Sequence, residues 1–354
     1  MTVYKNARIN GILTDFGVEK GKFTFFGTSA KEGIDLMGQT VIPGLIDIHT
    51  HGCVGHDVMD GSAHLNEMSR FYLKNGVTAW YPTTMSMAKD TVAAVTANLP
   101  DTDGAKALGY HLEGPLINPA YKGAQAEEAI TAARFEHLSD YHHLGLITLA
   151  PELEGALQAI KDSSIPVFLG HTAADYDLSF RAFEAGAVGL THTFNAMKPL
   201  HHRNPGPVGA ALTKDAYVQV ICDGFHLHPA VVMMLYKAFG PQRMILISDS
   251  MRATGLTDGE YDLGGQTVFV KEGTARLADG TIAGSTATLL TCVKQAIRFG
   301  IPQADAVTMA STTPAAVMGL NKGKLAAGYD ADFVVTDDSL TPVAACVEGT
   351  YHIL

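Results

Sequence analysis

The chain has 354 residues, 47% of them hydrophobic and 17% charged, with a formal net charge of −11. That is enough to bury one large core beside a small accessory domain, and so acidic a balance excludes the basic surface that non-specific nucleic-acid or anionic-membrane binding requires. A phosphorylated small molecule stays possible, since a few local cations suffice to hold it. Cys53, Cys222, Cys292 and Cys346 are scattered with no Cys-x-x-Cys, the start Met1 to Asn6 opens no apolar leader, and no apolar run approaches bilayer length. A reduced, cytoplasmic protein is therefore expected.

In chain order, residues 1–42 read as short β pieces (Val3 to Ile9, Lys22 to Phe26, Thr40 to Ile42) between Gly-rich turns, with no helix. The same texture returns in 323–354, around Phe333 to Val335 and Val343 to Val347. Neither piece can bury a core alone, so the two chain ends are expected to pair into one small β-sandwich. Between them, over 43–322, eight apolar runs start near Leu45, Thr78, Ala107, Leu146, Val167, Val188, Tyr217 and Met244, mostly spaced widely enough for a helix. Alternating strand and helix predicts the α/β class, and eight units predict a closed (β/α)8 TIM-type barrel. Residues 259–282 read as a β-hairpin inserted after the eighth strand, followed by helical segments Thr288 to Phe299 and Gln303 to Met318.

The ends of these runs carry the chemistry. His49 and His51 leave the first; as residues i and i+2 of a strand they share a face and suit a divalent metal, although taken alone the pair also fits solvated histidines. Glu113 ends the third run, ahead of a turn-forcing Gly114-Pro115, and reads as a metal ligand or as a capping or paired acid. His171 and His192 end the fifth and sixth, Asp223 and His226 follow the seventh, and Asp249 ends the eighth. Catalytic groups of a barrel sit at these carboxyl ends. Asp249 also reads as a helix N-cap, and His228, before Pro229, as a helix start.

Pro-Gly-Leu-Ile-Asp-Ile-His-Thr-His-Gly (43–52) resembles the first-strand signature of the amidohydrolase superfamily. His-Leu-Glu-Gly-Pro (111–115), Gly-His-Thr (170–172), Thr-His-Thr-Phe-Asn-Ala-Met (191–197), Asp-Gly-Phe-His (223–226), Ser-Asp-Ser-Met (248–251) and Ala-Gly-Ser (283–285) resemble, in order, the motifs of its N-acetylglucosamine-6-phosphate deacetylase family. The resemblance implies metal-dependent hydrolysis of the acetamide of N-acetyl-D-glucosamine 6-phosphate, with an amidohydrolase of another N-acyl sugar or cyclic amide as the alternative. Glu113, His171 and His192 would hold one divalent cation, and His49 and His51 a second; zinc, iron, manganese and cobalt all suit such ligands. No lysine ends a middle strand, which sets the chain apart from relatives that bridge two metals with a carboxylated lysine.

The same resemblance makes Asp249 the general base and acid and sets His226 near the scissile carbonyl. Substrate contacts would come from Ala124 and Gln125, where some relatives carry histidine, from Asn195 and Ala196, and from the main chain of Ile282, Ala283 and Gly284. Arg203 matches a phosphate-binding arginine that can reach a neighbouring subunit, so a homodimer with active sites near its interface is expected. Its basic neighbours Lys198, His201 and His202, followed by Asn204 to Pro207, predict a rigid loop on the active face.

Overall fold

The computed structural model describes residues 1–354. Strands from both chain ends make one eight-stranded sheet: Thr2–Ile9, Ile12–Glu19, Lys22–Phe26, Ile34–Asp35 and Thr40–Pro43 join Phe333–Thr336, Pro342–Val347 and Thr350–Ile353. The ends meet antiparallel, Val334 opposite Ile42 and Val335 opposite Val41. The sheet folds over on itself, so that aromatic side chains from both ends share a core: Phe16 lies 5.1 Å from Phe333 edge-on and 5.0 Å from Tyr4, stacked.

Pro43 leads directly into the barrel through Gly44, where a Cβ would come within 2.1 Å of Thr78 Oγ1, so only glycine lets the two strands approach so closely. Eight parallel strands follow: Leu45–Thr50, Val77–Pro82, Tyr110–Glu113, Leu144–Leu149, Val167–Leu169, Gly189–Leu190, Tyr217–Ile221 and Met244–Ile247. The third through eighth pair in sequence order, the second and third bridge at Thr83 and His111, and Asp249 N–H donates to His49 O (2.9 Å), closing eighth onto first. Ile46, Ile48, Ala79, Tyr81, Leu146, Phe168, Ile221, Ile245 and Ile247 pack together with Ala315, so the barrel is filled rather than hollow.

Three elements differ from the sequence reading. The segment expected as one helix from Gln303 splits into Gln303–Met309 and Thr312–Val317. Pro314 has no N–H to offer Ala310 O, and that carbonyl accepts instead from Ile46 N–H (2.8 Å) in the first barrel strand. The expected hairpin is a three-stranded meander, Gly259–Leu263, Gln266–Lys271 and Thr274–Arg276, whose apolar side packs on Met85, Met251 and Ala283. The expected rigid loop at 204–207 already contains a helix start: the helix Gly206–Thr213 takes Pro207 in its first turn, where the missing N–H costs nothing. No helix is long and apolar enough to cross a membrane.

Candidate metal centre and active site

Six side chains meet at the barrel mouth. Glu113 Oε1 lies 3.0 Å from His192 Nε2, 3.2 Å from His171 Nε2 and 3.3 Å from His49 Nε2. Its Oε2 lies 3.2 Å from His51 Nε2. Asp249 Oδ1 stands 3.2 Å from His51 Nε2 and 3.4 Å from His49 Nε2. All six residues are buried. Three of them, each two residues beyond the end of a barrel strand, turn sharply: His171, His192 and Asp249 have φ of 48°, 23° and 49°. Each such left-handed residue costs about 1–3 kcal/mol, a strain that concentrates at functional sites. Asp249 caps no helix; the next element is the strand from Gly259, and the next helix is capped by Thr288.

The donor set fits divalent cations. His171 donates from Nδ1 to Tyr121 O (2.8 Å), His51 from Nδ1 to Thr83 O (3.2 Å), and His49 from Nδ1 to Gln219 Oε1 (3.2 Å). In the neutral ring each therefore turns a bare Nε2 lone pair to the centre. The lone pairs of His49 and His51 face one another at 3.3 Å, which is unfavourable without a cation between them. Donor atoms around a metal with bonds of about 2.1 Å stand ~3.0–3.4 Å apart, which is the spacing observed. Two groups arise, His49–His51–Glu113 and Glu113–His171–His192, sharing the carboxylate. Burial alone would raise the Glu113 carboxyl, yet the surrounding imidazoles, His49 foremost, hold it well below its usual range. Burial likewise opposes a charge on His51, but Asp249 and Glu113 hold its pKa well above the ordinary value. A field that retains a proton there also favours a metal cation.

The cluster floors a cavity of about 420 Å³ lined also by Ala124, Gln125, Asn195, Ala196, His226, Ile282 and Gly284. At Gly284, φ 63°, an added Cβ would stand 3.2 Å from Asp249 O. Two expected contacts are not in this lining. Ala283 is fully buried in the core under the meander, its N–H donating to Ala275 O (3.1 Å). Arg203 is exposed on the outer surface, where its Nη1 meets His202 Nε2 (2.6 Å), and it borders a different groove beside Asp175 and Tyr176. Gln125 faces inward: it donates from Nε2 to Glu113 Oε2 (2.8 Å) and accepts Ser86 N–H on Oε1 (2.6 Å), so it braces the carboxylate.

Two residues inside the quoted motifs, Asp223 and His111, were given no role by the sequence. Asp223 accepts the N–H groups of Phe225 and His226 on Oδ1 (2.8 and 2.9 Å) and the Nδ1–H of His226 on Oδ2 (2.7 Å). Burial would raise its carboxyl; the His226 hydrogen bond and charge hold it below the usual value. The Asp-Gly-Phe-His motif is what brings these two side chains together. His111, under His49 at 4.5 Å between ring centres, is kept neutral chiefly by burial and bonds Thr148 and Thr83. His228 caps its helix, accepting Ala230 N–H.

Residues 40–351 match the model of the amidohydrolase family. The N-acetylglucosamine-6-phosphate deacetylase of Vibrio furnissii is 39% identical, over 92% of this chain and 86% of its own. The N-acetylgalactosamine-6-phosphate deacetylase of Escherichia coli O157:H7 is 38% identical, over 88% of this chain and 87% of its own. A mutant N-acetyl-D-glucosamine-6-phosphate deacetylase from Mycobacterium smegmatis, solved in complex with N-acetyl-D-glucosamine-6-phosphate, superposes with a TM-score of 0.90 at 29% identity, covering 100% of this chain and 99% of that one. Together with the buried histidine–glutamate cluster at the barrel mouth, these likenesses mean that the chain belongs to the amidohydrolase family, in its N-acetylglucosamine-6-phosphate deacetylase branch.

Proposed function

We propose that the chain hydrolyses the acetamide of N-acetyl-D-glucosamine 6-phosphate to D-glucosamine 6-phosphate and acetate, a step in amino-sugar catabolism. The observation that carries this reading is the convergence of four imidazoles and two carboxylates at 3.0–3.4 Å at the barrel mouth, where five of the six line the cavity and His49 lies beneath them. Divalent cations held by Glu113, His171 and His192, and by His49, His51 and the shared Glu113, would supply Lewis acidity and lower the pKa of water. Zinc, iron, manganese and cobalt all match the donors.

Asp249 takes the proton of the attacking water and hands it to the amide nitrogen as the C–N bond breaks, so the amine leaves neutral. His226 holds the carbonyl oxygen. With its Nδ1–H committed to Asp223, the ring can donate from Nε2 only as the imidazolium. Asn195, Ala196, Ile282 and Gly284 line the sugar's path, and Gln125 acts on the carboxylate of Glu113 more than on the sugar.

No lysine or arginine lines the cavity, so the phosphate needs a cation from elsewhere. Arg203, exposed in the loop between the sixth barrel strand and the helix Gly206–Thr213, suits this role from a neighbouring subunit, in a homodimer with shared sites. A second reading, in which the sugar is N-acetyl-D-galactosamine 6-phosphate, is favoured by the 38% identity to the enzyme named for it. The test is acetate release by metal-loaded enzyme from both 6-phosphates and from unphosphorylated N-acetylglucosamine. The glucosamine 6-phosphate derivative is expected to give the highest kcat/KM; faster turnover of the galacto epimer supports the second reading, and no release from either 6-phosphate sinks both.

A further inference from the structure

Gln219 sits in the seventh barrel strand, fully buried, directly behind the metal cluster. Its main chain is fixed on two sides: the carbonyl accepts Thr193 N–H (2.8 Å), and the residue pairs with Ile245 of the eighth strand. Its side chain does one thing. Oε1 lies 3.2 Å from His49 Nδ1, while Nε2 has no hydrogen-bond partner at all. A buried amide left half-satisfied carries a desolvation cost that an apolar residue of similar length would not incur. What the amide supplies in return is an acceptor aimed at one ring nitrogen.

An amide oxygen only accepts, so His49 must carry its proton on Nδ1. The neutral ring then shows a lone pair at Nε2, toward His51 Nε2 (3.3 Å), Glu113 Oε1 (3.3 Å) and Asp249 Oδ1 (3.4 Å). The other tautomer would place an N–H there, donating to a carboxylate and ceasing to be a ligand. His51 and His171 have the same choice made by main-chain carbonyls, Thr83 O and Tyr121 O, which substitution does not remove. Among these three rings, His49 is the one whose tautomer depends on a side chain.

We propose that Gln219 is a positioning residue that fixes His49 in its ligating tautomer, and thereby decides whether the chain holds a second divalent cation at His49, His51 and Glu113. This rests on the two-cation reading given above. An acceptor behind a metal-bound histidine typically changes metal affinity about 10–100-fold. The effect is confined to the second site, because the Gln219 side chain hydrogen-bonds His49 and neither His171 nor His192.

The test is zinc titration of metal-stripped protein, with zinc per chain counted by elemental analysis, for wild type, Gln219→Leu and Gln219→Glu. Wild type is expected to bind two zinc ions per chain. Gln219→Leu should keep the Glu113–His171–His192 ion and weaken the second about 10–100-fold, and Gln219→Glu, which keeps the acceptor, should bind two. Retention of that first ion also reports that the leucine variant has folded. Two ions bound by Gln219→Leu with wild-type affinity overturn the role of Gln219 alone. Equal loss in both variants, or loss of both ions, shows that packing rather than the acceptor matters and overturns it too. One ion in wild type at saturating zinc removes the two-cation reading and this role with it.

Discussion

Two buried charge clusters in this molecule solve the same problem in opposite ways. Where the barrel meets the terminal sheet, Lys322 Nζ lies 2.9 Å from Asp332, 3.3 Å from Asp330 and 3.3 Å from Glu348. At the barrel mouth, Glu113 and Asp249 face four imidazoles and no lysine or arginine. In the first cluster the chain supplies its own cation on a flexible stem, and the cluster is closed. In the second the donors are rigid, aimed at shared points and left for a cation from solution. An ammonium group there would compete with a metal for the same carboxylates, and none lines the barrel mouth.

The largest effect should come from removing the borrowed cation. Chelation is expected to abolish acetate release, and a divalent metal to restore it, while the Lys322 cluster and the fold of the terminal sheet stay intact by circular dichroism. Full turnover by protein shown metal-free by elemental analysis would break the comparison outright. Asp249→Asn sharpens it by separating binding from proton transfer: turnover should fall about 10²–10⁴-fold with the Glu113–His171–His192 ion retained, as read by kcat and metal content. Near wild-type kcat would remove Asp249 as the base.

The closed cluster is tested by Lys322→Met, which strands Asp332, 1% exposed, without its cation. Unfolding free energy should drop by about 3 kcal/mol, with kcat of the folded fraction unchanged. The three carboxylates hold the Lys322 pKa above its usual value against the pull of burial. A raised lysine pKa contributes stability in full below the unfolded value of about 10.4 and loses it as pH climbs through the folded one. The urea midpoints of wild type and variant should therefore converge above about pH 10.5; parallel curves would show that the ammonium is not what the cluster requires. The smallest effect concerns the cation assigned to the substrate. Arg203→Ala should raise KM for the 6-phosphate substrate about 10–100-fold, as for a lost charge-assisted contact, and leave KM for unphosphorylated N-acetylglucosamine near its starting value. Complementation between Arg203→Ala and Asp249→Asn chains after verified subunit exchange would locate the guanidinium in the neighbour's site; an equal loss on both sugars would remove it from phosphate recognition.

The barrel was legible because parallel strands buried on both faces read as unbroken apolar runs, such as Val167 to Leu169 and Met244 to Ile247. The centre was legible because barrel chemistry gathers at strand ends, where His171, His192 and Asp249 stand out against apolar residues. Other features left no such mark. The break at Ala310 depends on Ile46, more than 260 residues earlier in the chain, taking the carbonyl that Pro314 cannot use. Gln125 lines the cavity, and its bonds to Glu113 and to the main chain of Ser86 are ones the local sequence does not announce. Arg203 matches a phosphate-binding motif, yet its side chain ends beside His202, outside the cavity of its own chain.

By itself, then, the sequence determined the barrel strands and which residues lie at their ends, because both follow from local pattern and period: apolar runs, turn residues, and polar groups where a strand stops. Tertiary structure alone decided the protonation geometry. Which imidazole nitrogen faces the centre is set by Thr83 O, Tyr121 O and Gln219 Oε1. The first two are main-chain atoms that every residue possesses, and the third lies 170 positions from the ring it orients. A hydrogen bond needs only distance and direction, so its partner leaves no trace in the neighbouring sequence.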